Sequence, residues 1–119
     1  MAKSILVTVV ETPEFLAAAR KIMDDAERAS LVGYLAQNPL SGEVVPGTGG
    51  VRKVRWALPG RGKSGGARVI YFFHDETLPL FALTAYAKSV RSNLSQAERN
   101  ELRRLTALLV SSYARRSKR

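Results

Sequence analysis

The spacing of apolar side chains divides this chain into short elements of two periodicities. Ser4–Val10 (SILVTVV) is rich in β-branched residues bounded by polar ones, the signature of a first strand. Thr12-Pro13 then supplies an N-cap followed by a first-turn proline. Phe15, Ala19, Ile22 and Met23 recur at the i, i+4, i+7, i+8 spacing of one helical face. Asp24 or Asp25 can cap a second helix whose Leu31, Tyr34 and Leu35 point inward. Asn38-Pro39 closes it, because the residue before a proline is pushed out of the helical region. From Leu40 the texture changes. Pro46-Gly47-Thr48-Gly49-Gly50 is a turn cluster, and Val51–Leu58 (VRKVRWAL) is a strand. Its alternation puts Arg52, Val54, Trp56 and Leu58 on one side and Val51, Lys53, Arg55 and Ala57 on the other. Pro59–Gly66 (PGRGKSGG) reads as a basic, glycine-rich loop. Ala67–Phe73 (ARVIYFF) and Leu80–Tyr86 (LFALTAY) follow as strands, with Asp75-Glu76-Thr77 turning between them. Ser95-Gln96-Ala97-Glu98 has the capping-box pattern and opens a last helix with Leu102, Leu105, Leu109 and Tyr113 along one stripe. Ser111–Arg119, carrying Arg115, Arg116, Lys118 and Arg119, is expected to fray.

The order βααβββα, with three consecutive strands joined by short connections, predicts one α+β domain over residues 1–119: an antiparallel sheet with helices packed on one face. No internal repeat or linker divides it. At 119 residues such a domain buries roughly two-thirds of the surface its unfolded chain exposes, enough for an independent core. The absence of cysteine removes disulfides, thiolate metal sites and cysteine nucleophiles, and a single histidine excludes most zinc clusters and any two-histidine acid–base pair. No apolar run approaches the roughly 18–20 residues that span a bilayer. Glu11 and Pro13 stand where a signal-peptide cleavage site would lie, so the chain reads as cytoplasmic.

Charge changes the picture most. Nineteen Lys and Arg against ten Asp and Glu give a formal net charge of +9, which favours a polyanionic partner. The charge is also segregated. No acidic residue lies between Val44 and Phe73, a window that holds Arg52, Lys53, Arg55, Arg61, Lys63 and Arg68. A segregated field can steer a ligand where interspersed charge cannot. Within the strand, Lys53 and Arg55 project to the same side roughly 6.6–7 Å apart, close to the spacing of successive phosphates. Arg68 opens the next strand and can approach them across the hairpin, while Arg52, Arg61 and Lys63 extend the basic patch. Tyr71 and Tyr86, on flanking strands, are candidates for stacking on bases; Trp56, Phe72, Phe73 and Phe81 read as core.

Other motifs carry less. Ala57–Ser64 (ALPGRGKS) satisfies a relaxed phosphate-loop pattern, with Val69–Glu76 (VIYFFHDE) in the place of its acidic strand. A phosphate loop must open a helix whose N-terminal amides hold the phosphate, yet Gly65-Gly66 is followed by a strand. His74 beside Asp75 reads as a turn residue, and Asp24, Asp25 and Glu27 read as a capping cluster, not a metal site.

Three segments together carry a resemblance. Asn38-Pro39-x-x-Gly42, then Gly47-Thr48-Gly49-Gly50-Val51-Arg52-Lys53-Val54-Arg55, then Gly62-Lys63-x-Gly65-Gly66-x-Arg68-Val69-Ile70-Tyr71 resemble the HigB branch of the RelE-like toxins of type II toxin–antitoxin modules. Leu83-Thr84-x-Tyr86-x-Lys88 and the capped last helix continue the match over nearly the whole chain. The resemblance implies a small α+β fold close to the microbial ribonucleases. It also implies ribosome-dependent mRNA cleavage that inhibits translation, without metal or cofactor. The implied partners are a cognate helix-turn-helix, HigA-like antitoxin, the ribosome and its mRNA, with operator DNA reached only through the antitoxin and no membrane. By the same resemblance, Lys53 and Arg55 match the basic strand pair of the catalytic face, Arg68 the arginine that contacts the scissile phosphate, and Lys88 the basic residue after the last strand. The family's C-terminal tyrosine has no counterpart, since Leu94 occupies that region, which leaves Tyr86 as the nearest substitute. Ser89 stands where some members have arginine, with Arg91 close by.

The expected reaction is attack of a ribose 2′-hydroxyl on the adjacent phosphate. A cluster of like charges favours a neutral amine, which makes Lys53 the candidate base. Arg55 and Arg68 would stabilise the phosphorane, with Lys88 or Tyr86 in auxiliary proton work. The alternatives are a non-catalytic RNA- or DNA-binding module that only grips phosphates, or a decayed toxin acting through protein contacts.

Overall fold

The structure is a computed structural model in which residues 6–58 and 66–117 are described, with side chains to residue 114. The elements in chain order are β1 (Val9–Glu11), α1 (Pro13–Arg20), α2 (Asp25–Gln37), β2 (Glu43–Val44), β3 (Val51–Trp56), β4 (Ala67–Phe72), β5 (Leu80–Ala87) and α3 (Gln96–Ser117). The local start signals act as anticipated. The Thr12 hydroxyl accepts from the Phe15 amide at 3.2 Å, with Pro13 in the first turn of α1. Asp24 and Glu27 exchange hydrogen bonds of 2.8 Å in a capping box that opens α2. Ser95 and Glu98 form a second box at the head of α3.

The strands form one five-stranded sheet in the order β1-β5-β4-β3-β2. The β2–β3, β3–β4 and β4–β5 pairs are antiparallel as expected, but β1 lies parallel to β5, so the sheet is mixed. The two-residue β2 was not foreseen, and β1 begins at Val9, later than the Ser4 start that sequence predicts; residues 1–5 lie outside the described set. A bulge between Ile70 and Tyr71 gives β5 one extra residue, Leu83.

The largest correction concerns the helices, which cover both faces of the sheet. On one face, Phe15 and Ala19 of α1 and Leu31 and Leu35 of α2 pack on Val54, Val69, Tyr71 and Ala82. On the other, Leu102, Leu109, Val110 and Tyr113 of α3 pack against a cluster containing Val51, Ile70, Phe72, Phe81 and Leu83. The cause is visible in β4, which is buried at every position: a strand apolar on both sides must be covered on both sides. The alternation read for β3 holds, since Val54 and Trp56 belong to the first core and Val51 to the second. The inward positions of the helices differ in detail. Tyr34 is 38% exposed and tilts against Trp56, and Leu105 is 37% exposed while Thr106, one position on, is buried. Helix α3 runs from Gln96 to Ser117.

Candidate functional site

Directly paired antiparallel residues share a face of the sheet, so register decides which side chains can meet. Arg55 pairs with Arg68, and Arg68 pairs with Tyr86, making one row across β3, β4 and β5. The next row is Lys53, Ile70 and Thr84. Ile70 and Tyr86 belong to the second core, so both rows lie on the α3 side. Side chains directly opposite one another have Cβ atoms roughly 4.5–5.5 Å apart; Lys53, Arg55 and Arg68 are therefore neighbours on one face.

Helix α3 occupies the far end of that face. The Thr106 hydroxyl donates to the Thr48 carbonyl at 3.0 Å just before β3, and the Thr48 hydroxyl in turn donates to Val45 O at 2.7 Å and accepts from the Val51 amide. The near end opens into a cleft of about 320 Å³ lined by Ser41, Glu43, Lys53, Val54, Arg55 and Arg68. Arg55 is exposed and Lys53 half-buried, while Arg68, 6% exposed, forms the floor and donates to the Ala67 carbonyl at 3.2 Å.

The β5–α3 connection meets the cleft-lining Lys53 and is tied at several points. The Lys88 amide donates to the Gly66 carbonyl at 2.9 Å. The Arg91 guanidinium lies 4.5 Å from the centroid of the Tyr86 ring and donates to both oxygens of Glu98 at 2.7 and 2.9 Å. The Tyr86 hydroxyl donates to the Ser92 carbonyl at 3.3 Å, and Lys53 Nζ donates to Asn93 Oδ1 at 3.1 Å. Burial pushes the Tyr86 phenol above its ordinary range; Arg91, Arg68 and Arg99 pull the other way, and Glu98 adds to the rise. The phenol thus keeps its proton at neutral pH and can donate but not accept one. The hydrogen bonds from Arg91 and from the Ser95 amide hold the Glu98 carboxyl below the usual glutamate range.

Of the residues singled out from sequence, Lys53, Arg55, Arg68 and Tyr86 come together, with Arg91 stacked on Tyr86 and the exposed Lys88 at the end of β5. Arg52 does not join them. Its guanidinium donates to the carbonyls of Gly42 at 2.7 Å and Leu40 at 3.3 Å, bracing the loop that carries Ser41. Tyr71 is fully buried in the first core. Its hydroxyl donates to Pro39 O at 2.9 Å and accepts from the Gly42 amide at 2.8 Å, so its ring offers no surface to a base. Tyr86, buried in the second core with Arg91 over its ring, offers none either, and the stacking role read for both is withdrawn. A Cβ at position 42 would meet the Tyr71 ring and the Lys53 carbonyl, which explains the glycine of the Asn38-Pro39-x-x-Gly42 segment as a close approach. Arg61 and Lys63 lie outside the described residues. Sequence reasoning missed Ser41, Glu43 and Asn93. No periodicity marks them, although the pairing of Glu43 with Lys53 puts a carboxylate at the rim of an otherwise cationic cleft.

A five-stranded mixed sheet, helices on both faces and an open cationic cleft at one end of the sheet define a small basic α+β protein. Residues 9–117 match the family described as the RelE toxin of the RelE/RelB toxin–antitoxin system, and the chain belongs to that family. Membership makes it a toxin-type chain whose family partner is a cognate antitoxin. Among the described residues no helix is long and apolar enough to cross a membrane.

Proposed function

We propose that this toxin is a ribosome-dependent mRNA endoribonuclease of the HigB branch, acting in the cytoplasm and neutralised by a helix-turn-helix antitoxin through which alone it reaches operator DNA. The observation that carries the reading is the two-row cluster on the α3 face: Arg55, Arg68 and Tyr86 in one row, Lys53 in the next, at the mouth of an open cleft. A single phosphodiester lying across β3 and β4 would meet both guanidiniums and the Lys53 amine.

In the proposed reaction the Lys53 amine takes the proton of a ribose 2′-hydroxyl as the oxygen bonds to the adjacent phosphorus. The bond from phosphorus to the 5′-oxygen breaks, leaving a 2′,3′-cyclic phosphate and a 5′-hydroxyl. Arg55 and Arg68 hold the charge that develops on the phosphorane. The leaving 5′-oxygen takes its proton from Lys88 or from the Tyr86 phenol, and Lys53 gives up to solvent the proton it removed. Arg91, Arg61 and Lys63 contact flanking phosphates.

Induced expression in a bacterium followed by mapping of mRNA ends tests this. Arg55→Ala and Arg68→Ala should each abolish growth inhibition and slow cleavage by about 10²–10³-fold, the usual loss for one transition-state donor, while the proteins still bind antitoxin. Arg55 is exposed, so its variant keeps the fold even if the buried Arg68 proves structural. Undiminished toxicity of a well-expressed Arg55→Ala, Arg68→Ala double variant refutes the assignment.

A further inference from the structure

The β5–α3 connection reaches the cleft through the hydrogen bond from Lys53 Nζ to Asn93 Oδ1, 3.1 Å long and 40 positions apart in sequence. The lysine nitrogen is the donor in this pair, so the amide presents its oxygen to it. The backbone that carries Asn93 is held from both directions. On one side the Ser92 carbonyl accepts from the Tyr86 hydroxyl, and Arg91 spans from the Tyr86 ring to Glu98. On the other, Leu94 is buried in the second core and Ser95 caps α3. Asn93 itself is exposed, which places a polar acceptor on a rigid support at the edge of the cleft. Lysine is the residue that most needs such a tie: its flexible four-carbon stem leaves the head group free unless something binds it.

We infer that Asn93 is a positioning residue: through its side-chain oxygen it orients the Lys53 amine beside Arg55 and Arg68, so that a phosphodiester entering the cleft meets the amine and both guanidiniums already in place. Its consequence for cleavage rests on the nuclease reading above; the orientation of the amine does not. Asn93 makes no contact with substrate in this role and acts only through Lys53.

The experiment compares wild type, Asn93→Ala and Asn93→Gln, the last of which keeps a neutral amide oxygen. Acylation of Lys53 by acetic anhydride, followed by peptide mass spectrometry, should be about three- to tenfold faster in Asn93→Ala, the range that loss of one ordinary hydrogen bond allows. Asn93→Gln should stay near wild type. Single-turnover mRNA cleavage at saturating ribosome concentration should fall about tenfold in Asn93→Ala, since misplacing a reacting group costs rate and not affinity. The half-saturating ribosome concentration should be unchanged, and Asn93→Gln should recover most of the rate. Unaltered Lys53 acylation in Asn93→Ala overturns the inference. So does a loss in Asn93→Ala that Asn93→Gln fails to restore, which is the mark of a merely structural residue. If wild type cleaves no mRNA, the nuclease reading falls, and the acylation comparison alone decides whether Asn93 holds the amine.

Discussion

Glu98 carries two tasks on one carboxylate. It accepts from the Ser95 amide at 2.8 Å to start α3, and it holds Arg91 over the Tyr86 ring. Both bonds favour the ionised form, so its carboxyl titrates below the ordinary glutamate range. A group lowered in the folded state contributes stability above its unfolded value, and that contribution is lost as pH falls through the folded one. The melting temperature of wild type should therefore exceed that of Glu98→Gln near pH 7, and the gap should close as pH drops below about 4.3, the unperturbed glutamate value. Thermal scans across that window check this; a gap independent of pH would mean that packing, not charge, explains the loss. Alternation along β3 also separates two neighbouring cations by role. Arg52 braces the 40–42 loop, whereas Lys53 faces the cleft. That parity was legible in sequence. The bond from Lys53 to Asn93 was not, because nothing local couples positions 40 apart.

At the scale of elements, the Gly47-Thr48-Gly49-Gly50 turn works as a socket for α3. Gly49 adopts φ of +77°, and a Cβ there would run into the Thr106 hydroxyl, which bonds the Thr48 carbonyl. Only glycine meets both demands without strain. Thr106→Val preserves shape but leaves the buried Thr48 carbonyl without this donor, and should destabilise the protein by about 1–3 kcal/mol, measured as a shift in the denaturant midpoint. Cleavage by the folded variant should be unchanged, because the socket lies at the end of β3 remote from Arg55. A segment that carries the family resemblance thus serves assembly: it fixes α3 so that the β5–α3 connection arrives beside the cleft. The capping boxes were readable because each is closed within four residues. The stripe of α3 was read one residue out of place at Leu105, since a buried threonine bonded to a distant carbonyl carries no hydrophobic signal.

For the molecule as a whole, the net charge of +9 and the acid-free stretch from Val44 to Phe73 set the long-range field, and the fold concentrates part of it at one end of a sheet face. Affinity for ribosomes or RNA should fall steeply with salt as phosphate contacts release counterions. Arg55→Ala should lower the slope of log K against log salt by about one, whereas Tyr71→Phe should leave it unchanged because that ring is enclosed. Anisotropy titrations over a series of KCl concentrations distinguish the two. By itself the amino-acid sequence determined the three helices and the strands β3 to β5, the helix caps, the basic window and the side of β3 on which Lys53 and Arg55 stand, all of which depend on contacts within a few residues or on strand parity. Only the tertiary structure decided that α3 crosses to the second face, that β1 joins β5 in parallel, that Tyr86 shares a row with Arg68 across a bulged strand, and that Asn93 meets Lys53. Each of these follows from long-range pairing and from the need to cover a central strand apolar on both sides, which no local pattern specifies.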